Sequence, residues 1–489
     1  MKRENPDVDG ATTPLPSLLN AAPAQAPRPV RSPATPRSAA GAPGHGAGPS
    51  AAARRAGIRV DRVVSELRRG RPVKLAAGSE HVLVAAVETM LPSAWAFLAG
   101  EGGELNVTLT AERAQASGWY EAPAVALLAD ATPVALPPET AAVAGIDTDA
   151  PAPVLPISLR LPTGFDPAHL ADLAGLGSHA PDGSGAGASW TGNDDRPGQR
   201  DAGRWAELLA AQNGSPAGRT TPAMRAALEL ARLARLVPAI VTLSLPAASA
   251  GGGAQERRAP DAEDPEYLAV SAADVQAYPQ DRASSLLRVS EAPVPLAGHE
   301  DSRFVLFRET VADLEHVAII IGKPDPAAPV LVRLHSSCLT GDLFASLRCD
   351  CGDQLRGAID RLGDGGGILL YLAQEGRGIG LANKLRAYAR QDAGLDTIDA
   401  DRYLGFRGDE RNFAVAVQML KSLGVARIRL LTNNPSKIAA LRQAGLDVVE
   451  RLPIGGHINR HNERYIRTKR DRAGHLIDVS SLPAERQAG

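Results

Sequence analysis

Between Val330 and Leu452 the chain alternates short apolar runs with longer segments of helical period, and this rhythm restricts the fold most. VLVRLHS, GILLYLA, RIRLLT and LDVVERL read as strands; GILLYLA is apolar on both faces, as a buried parallel strand is. Between them, DQLRGAIDRL places Leu355, Ala358, Ile359 and Leu362 on one helical face, and GDGGG ends it. IGLANKLRAYARQ and NFAVAVQMLKSLG are further helices, and PSKIAALRQAG is one with Pro435 in its first turn. Strand and helix in alternation predict an α/β layered domain over about 295–475.

A second folded region, 56–290, is expected upstream, of α+β type. In IRVDRVVSELRRG, Val60, Val63, Val64 and Leu67 recur at helical spacing and Gly70 closes the helix. HVLVAAVETM reads as a strand or short helix, and ELNVTLT alternates as a strand does. Three stretches rich in Ala, Pro, Gly and Ser have too few large apolar side chains to repay ordering. They are 1–55, expected as a disordered tail, and the flexible insertions 178–203 and 248–265; 476–489 is expected as a flexible tail.

Charge narrows the partners. The net charge is −2, which draws the chain neither to nucleic acid nor to a membrane. Residues 330–470, however, carry 22 Lys and Arg against 15 Asp and Glu, a local excess suited to an anionic ligand. The opening MKRENPDVDG has no apolar core, and no run approaches the roughly 18 apolar residues of a membrane span. A cytoplasmic protein is expected.

The only three cysteines, Cys338, Cys349 and Cys351, fall within HSSCLTGDLFASLRCDCG. So few thiols, odd in number, argue against a disulfide framework. The pattern Cys-x10-Cys-x-Cys suits zinc, and three protein ligands would leave a fourth, catalytic position open. Spacing alone leaves two other readings: a structural site completed by His335 or another histidine, or three unrelated cysteines. Four polar turns accompany the thiols. Arg333 and His335 close a strand; QEGRGIG (374–380) has glycines that let backbone N–H groups approach a phosphate, with Arg377 beside them. GDERNF (408–413) and TNNPSK (432–437) each precede a helix, as ligand turns or as plain caps. Together they indicate a zinc enzyme acting on a phosphorylated small molecule.

RLHSSCLTGD, SLRCDCGDQL, GGGILLYLAQEGRGIGL, NKLRAYARQ, DTIDADRYLGFRGDERNF and LLTNNPSK resemble, in order and spacing, the GTP cyclohydrolase II family. The resemblance implies that Cys338, Cys349 and Cys351 bind one catalytic Zn2+. It implies GTP contacts from Arg333, Leu334, His335, Ser336, Ser337, Gln354, Glu375, Gly376, Arg377, Thr397, Thr432 and Lys437, with Mg2+ on the triphosphate. Asp409 matches the proton acceptor, Arg411 the proposed nucleophile toward the α-phosphorus, and Tyr388 a tyrosine beside the metal. The implied products are a diamino-ribosylamino-pyrimidinone 5′-phosphate, formate and pyrophosphate, at the first step of riboflavin biosynthesis, and the implied assembly is a homodimer. Three positions depart: Ser337 where the family usually has Glu, Ala373 where it often has Arg, and Asp401 where Asn is common. Two other functions stay open, a cyclohydrolase for another nucleotide and a non-catalytic, zinc-stabilised nucleotide-binding regulator.

More faintly, IRVDRVVSELRRGRPVKLAA and AFLAGEGGELNVTLTAERA resemble 3,4-dihydroxy-2-butanone 4-phosphate synthase, often fused ahead of GTP cyclohydrolase II. That family's acidic magnesium-binding stretch is reduced here to Glu80 and Glu88. A hard cation needs several oxygen ligands, so this degenerate region is expected to be catalytically inactive.

Overall fold

The computed structural model describes residues 50–116, 156–176, 218–245, 267–312 and 314–477. The insertions 178–203 and 248–265 lie outside them, as do 1–49 and 478–489. The helix Ala51–Arg68 begins inside the tail expected to be disordered through residue 55. The Ser50 side chain accepts the Ala53 N–H at 3.1 Å, and the alanines that follow have the highest helix propensity. Its buried face includes Val60, Val63, Val64 and Leu67. Gly70 turns the chain at φ 76°, where a Cβ would lie 2.1 Å from the Thr89 carbonyl oxygen.

Among the described residues, fourteen strands make two seven-stranded sheets. The first contains β1 (Val73–Ala77), β2 (Glu80–Ala86), β3 (Leu105–Leu109), β4 (Ile157–Arg160), β5 (Gly218–Arg219), β6 (Ala239–Leu245) and β7 (Ala269–Ser271). Its order is β5-β4-β3-β6-β2-β1-β7, antiparallel except for β1 with β7. HVLVAAVETM resolves into both expected forms, a strand to Ala86 and a 3-10 turn over Val87–Thr89.

The second sheet holds β8 (Leu286–Pro293), β9 (Ser302–Glu309), β10 (Leu314–Ile321), β11 (Val330–Ser336), β12 (Gly367–Leu372), β13 (Arg427–Leu431) and β14 (Asp447–Leu452). The order is β14-β13-β11-β12-β10-β9-β8. The first four run parallel and the last three antiparallel. The α/β alternation therefore accounts for half of this sheet, and the antiparallel half lies outside that rhythm. Because β8 pairs with β9, the sheet starts at Leu286, ahead of the boundary drawn at 290–295.

Each sheet packs helices on its faces, as amphipathic elements must. One face of the first sheet holds Ala51–Arg68, Pro222–Leu233 and Ala272–Ser284 over Leu75, Val84 and Ile240. Its other face shares a core with the second region: Val107, Leu109 and Leu243 join one cluster with Ala387, Tyr403 and Phe406. Arg113, 1% exposed, locks this seam. Its guanidinium donates to the carbonyls of Leu173 and Tyr403 at 3.0 and 3.2 Å and lies 4.2 Å from the Tyr403 ring centroid. Glu80 accepts the Ala223 N–H at 3.3 Å; Glu88 accepts the Val237 N–H at 2.7 Å and pairs with Arg386. Among the described residues, no helix is long and apolar enough to cross a membrane.

Candidate active site

β11 pairs in parallel with β12 on one side and β13 on the other, so their carboxyl ends form a switch-point crevice of the kind that binds ligands in α/β sheets. Cys338 lies two residues past the end of β11; a π-helical turn, Leu339–Leu343, follows; and Cys351 opens the helix Cys351–Gly363. The three Sγ atoms lie within 4.8 Å of one another, with Cys338 and Cys349 3.7 Å apart. A zinc–sulfur bond of about 2.3 Å gives a tetrahedral edge of about 3.8 Å, so the cluster fits a zinc ion. Gly341 makes room for it. A Cβ there would stand 2.7 Å from the Cys349 sulfur and 3.1 Å from that of Cys338.

Hydrogen bonds from Cys349 and Cys351, aided by Lys384, hold the Cys338 thiol far below its ordinary pKa. The same sharing pushes Cys349 up and, with burial, Cys351 well up. The Lys384 ammonium is 3.1 Å from the Cys338 sulfur and 2.7 Å from Glu375. His335 does not join the sulfurs, so a four-ligand site completed by it is not formed. Burial lowers its pKa, and its Nε2 sits 3.1 Å from both oxygens of Asp342. Asp342 in turn accepts the Cys338 N–H at 2.9 Å and the Tyr371 hydroxyl at 3.0 Å. The gathering of all three thiols also removes the reading of unrelated cysteines.

The cluster opens into a cavity with about 1150 Å³ of empty space, open solvent at its mouth included. Seven basic side chains line it against two acidic ones. Arg333 donates to the Leu431 carbonyl at 2.9 Å and to Gln354 at 2.8 Å, and burial brings its pKa down to about 10. Burial, with Arg411 and Arg333 nearby, holds the Lys437 amine well below its ordinary value. Its Nζ donates to the Leu334 carbonyl at 3.2 Å. Leu334 itself is buried and does not line the cavity, whereas Ser336, Ser337, Tyr388, Thr397 and Thr432 do. Among the described residues the buried Arg333 Nε, His335 Nδ1 and Ser336 Oγ have no hydrogen-bond partner, which leaves three wall residues with polar groups for a ligand.

The QEGRGIG turn is tightly wound, with φ of 61° at Gly376, 57° at Arg377, 98° at Gly378 and 87° at Gly380. Glu375 accepts the Leu339 N–H at 2.7 Å, tying this turn to the thiol loop. Arg377 donates to the Gly408 carbonyl at 3.0 Å, tying it to the GDERNF turn. There Arg411 lines the cavity and Asp409, just behind, accepts its Nε–H at 2.8 Å. Burial would push the Asp409 carboxyl up, but Arg411 holds it below its ordinary range. Asp409 therefore serves Arg411 rather than capping the next helix. Asn434 does cap its helix, accepting the Ser436 N–H at 2.9 Å.

The sequence reading missed Lys384, Asp401, Tyr465, Lys469 and His475 as site residues, all of which line the cavity. Lys384 sits four residues after Gly380 in a helix that the sequence pattern reveals, a signal that was available. Lys469 gave none. It belongs to the polar helix Glu463–Asp471, where it meets Asp350, between two of the cysteines, at 2.8 Å.

Comparison with known proteins agrees with this geometry. The family model described as GTP cyclohydrolase II matches residues 287–453. A GTP cyclohydrolase-2 of Azospirillum brasilense is 49% identical over 282 residues, 58% of this chain and 71% of that protein. The chain belongs to the GTP cyclohydrolase II family. A second family member, from Escherichia coli O9:H4, is 50% identical over 194 residues, 40% of this chain and 98% of its own length. A third, from Xylella fastidiosa 9a5c, is 49% identical over 258 residues, covering 53% of this chain and 62% of its own. A crystal structure of RibBX, described as a two-domain 3,4-dihydroxy-2-butanone 4-phosphate synthase from A. baumannii, is 16% identical, covering 82% of this chain and all of that one, with a TM-score of 0.24. The cavity residues Tyr465, Lys469 and His475 lie beyond the segment that the GTP cyclohydrolase II model matches.

Proposed function

We propose that this chain hydrolyses GTP to a diamino-ribosylamino-pyrimidinone 5′-phosphate, formate and pyrophosphate, the first step of riboflavin biosynthesis. The observation that carries the reading is the meeting of three sulfurs at the wall of a cavity lined by cations. Cys338, Cys349 and Cys351 would hold zinc, which when bound lowers the pKa of its water to near 7 and polarises the bond under attack. The chain's own residues do the rest. Arg333, Arg377 and Lys437 bind the triphosphate with Mg2+, and the phosphates supply the counter-charge that buried Lys437 lacks. Arg411 faces the α-phosphorus; a guanidinium is a poor nucleophile, so Asp409, held as a carboxylate, takes its proton as the bond to phosphorus forms and pyrophosphate leaves, and water then cleaves the nitrogen–phosphorus bond, which restores Arg411 and leaves the 5′-phosphate. Gln354, Glu375, Gly376, Thr397 and Thr432, with the segment from Leu334 to Ser337, form the rest of the GTP contacts, and Tyr388 stands beside the metal. A homodimer belongs to the same reading. The first region, degenerate in the synthase motif, makes no product of its own.

Ser337 in the cavity wall, where the family usually has Glu, favours one second reading, a cyclohydrolase for another nucleotide. Zinc-loaded protein is incubated with GTP and with ATP, and formate and pyrophosphate are followed. GTP is expected to yield both, and Cys351→Ser to yield no formate. Formate from ATP alone would move the assignment to the second reading. Tight GTP binding without formate would leave a nucleotide-binding regulator.

A further inference from the structure

The turn that carries Glu375, Gly376 and Arg377 has four residues at positive φ, one of them an arginine. Such a backbone persists only where its surroundings over-determine it. Ala373, which leads into the turn, is gripped at both backbone groups. Its N–H donates to His316 Nδ1 at 3.1 Å. The opposite ring nitrogen of His316 is 2.8 Å from Glu309, and Glu309 accepts from Arg282 at 2.6 Å. Burial alone would raise the Glu309 carboxyl; His316 and Arg282 hold it down at about 2. The Ala373 carbonyl accepts from Arg235 Nη2 at 3.0 Å.

Arg235 also reaches the far side of the turn. Its carbonyl accepts the Asn383 amide at 2.8 Å, and that same amide donates to the Ile379 carbonyl at 3.0 Å. Gly380 packs on its aliphatic stem, where a Cβ would come within 3.3 Å of Arg235 Cδ. Arg235 thus touches the turn before and after its strained centre. Its own φ is 56°, a conformation that a non-glycine residue holds at a cost. It follows the helix Pro222–Leu233, and Arg282 lies in Ala272–Ser284. Both belong to the first region, whose Glu80 and Glu88, the acidic residues left in its synthase-like stretch, are engaged by backbone N–H groups and Arg386.

We propose that Arg235 is a positioning residue for turnover, holding the Gln374–Gly380 turn in its substrate-binding shape, and that this is what the first region contributes to the reaction. The inference rests on reading that turn as a GTP contact. Removing the guanidinium leaves the Ala373 carbonyl without its buried donor and frees one side of the turn. A displacement near 1 Å in a reacting assembly can cost about 100-fold in rate.

The test uses the full-length, zinc-loaded chain. Arg235→Met keeps the stem on Gly380 and the same strained φ, so the fold survives while the hydrogen bond is lost. Its kcat with GTP is expected to fall by about 10- to 100-fold with KM changed less. Hydrogen exchange at residues 375–380 is expected to quicken beyond that of the rest of the chain, with zinc content unchanged. Arg235→Lys, whose amine can still approach the Ala373 carbonyl, recovers most of the loss. Wild-type kcat and exchange in Arg235→Met overturn the inference, as does a lysine variant no better than the methionine one. A wild-type protein that releases no formate from GTP defeats the reading of the site instead, and the exchange comparison still decides this inference.

Discussion

Asp401 lies 5% exposed on the helix Thr397–Tyr403, at the cavity wall. Burial raises its carboxyl from 3.8 to about 7; Arg377 pulls the other way, and Asp409 adds to the rise. The native state therefore keeps a proton that the unfolded chain gives up near pH 4. Wherever the folded state binds more protons, stability falls as pH rises. The contribution is complete below the unfolded pKa and is lost as pH climbs through about 7. At about 1.4 kcal/mol per pH unit, the pH-dependent cost reaches about 4 kcal/mol. Asp401→Asn removes it, because the amide does not titrate and copies the shape of the neutral acid. Urea unfolding of the two proteins in steps between about pH 4 and pH 9 measures the difference, with other titrations cancelling in the subtraction. The variant's advantage should grow with pH by about 4 kcal/mol and level off above about pH 8. A difference that stays flat within about 1 kcal/mol across that range would show that Asp401 is ionised throughout, and the reasoning from burial would be wrong. Below about pH 7 the buried acid is neutral, as an amide in its place would be.

Gly341→Ala should force the sulfurs apart and weaken zinc binding by about 10-fold or more, read by competition with a chelator; unaltered affinity would show that the loop yields freely. Arg411→Ala should stop pyrophosphate release while retaining zinc, and pyrophosphate at the parent rate would exclude a covalent role for Arg411. The protein should form no butanone phosphate from ribulose 5-phosphate, because Glu80 and Glu88 are held by Ala223, Val237 and Arg386; product detected by mass spectrometry would reverse this.

What the sequence disclosed follows burial. β12 is covered on both faces, so it stands out as a continuous apolar run, and the polar turns at the ends of β11 and β12 mark the crevice. β8 is an edge strand exposed along almost its whole length, so it carries no apolar pattern to read. The thiols announced themselves because three cysteines fall so close together. Lys469 did not, since its helix buries little besides Ile466, Thr468 and its own ammonium. The grip of Arg235 on Ala373 spans 138 residues, and no local pattern encodes such a contact.

The stretch from Tyr465 to Ile477 is also the last part of the described chain to be made. Synthesis runs from the amino terminus, so a nascent chain has all three sulfurs before this wall exists. A protein clipped after β14 would keep its three clustered thiols yet leave Asp350 without Lys469, its buried counter-charge, and the pocket open on one side. Bound metal alone would then be a misleading sign of a finished enzyme.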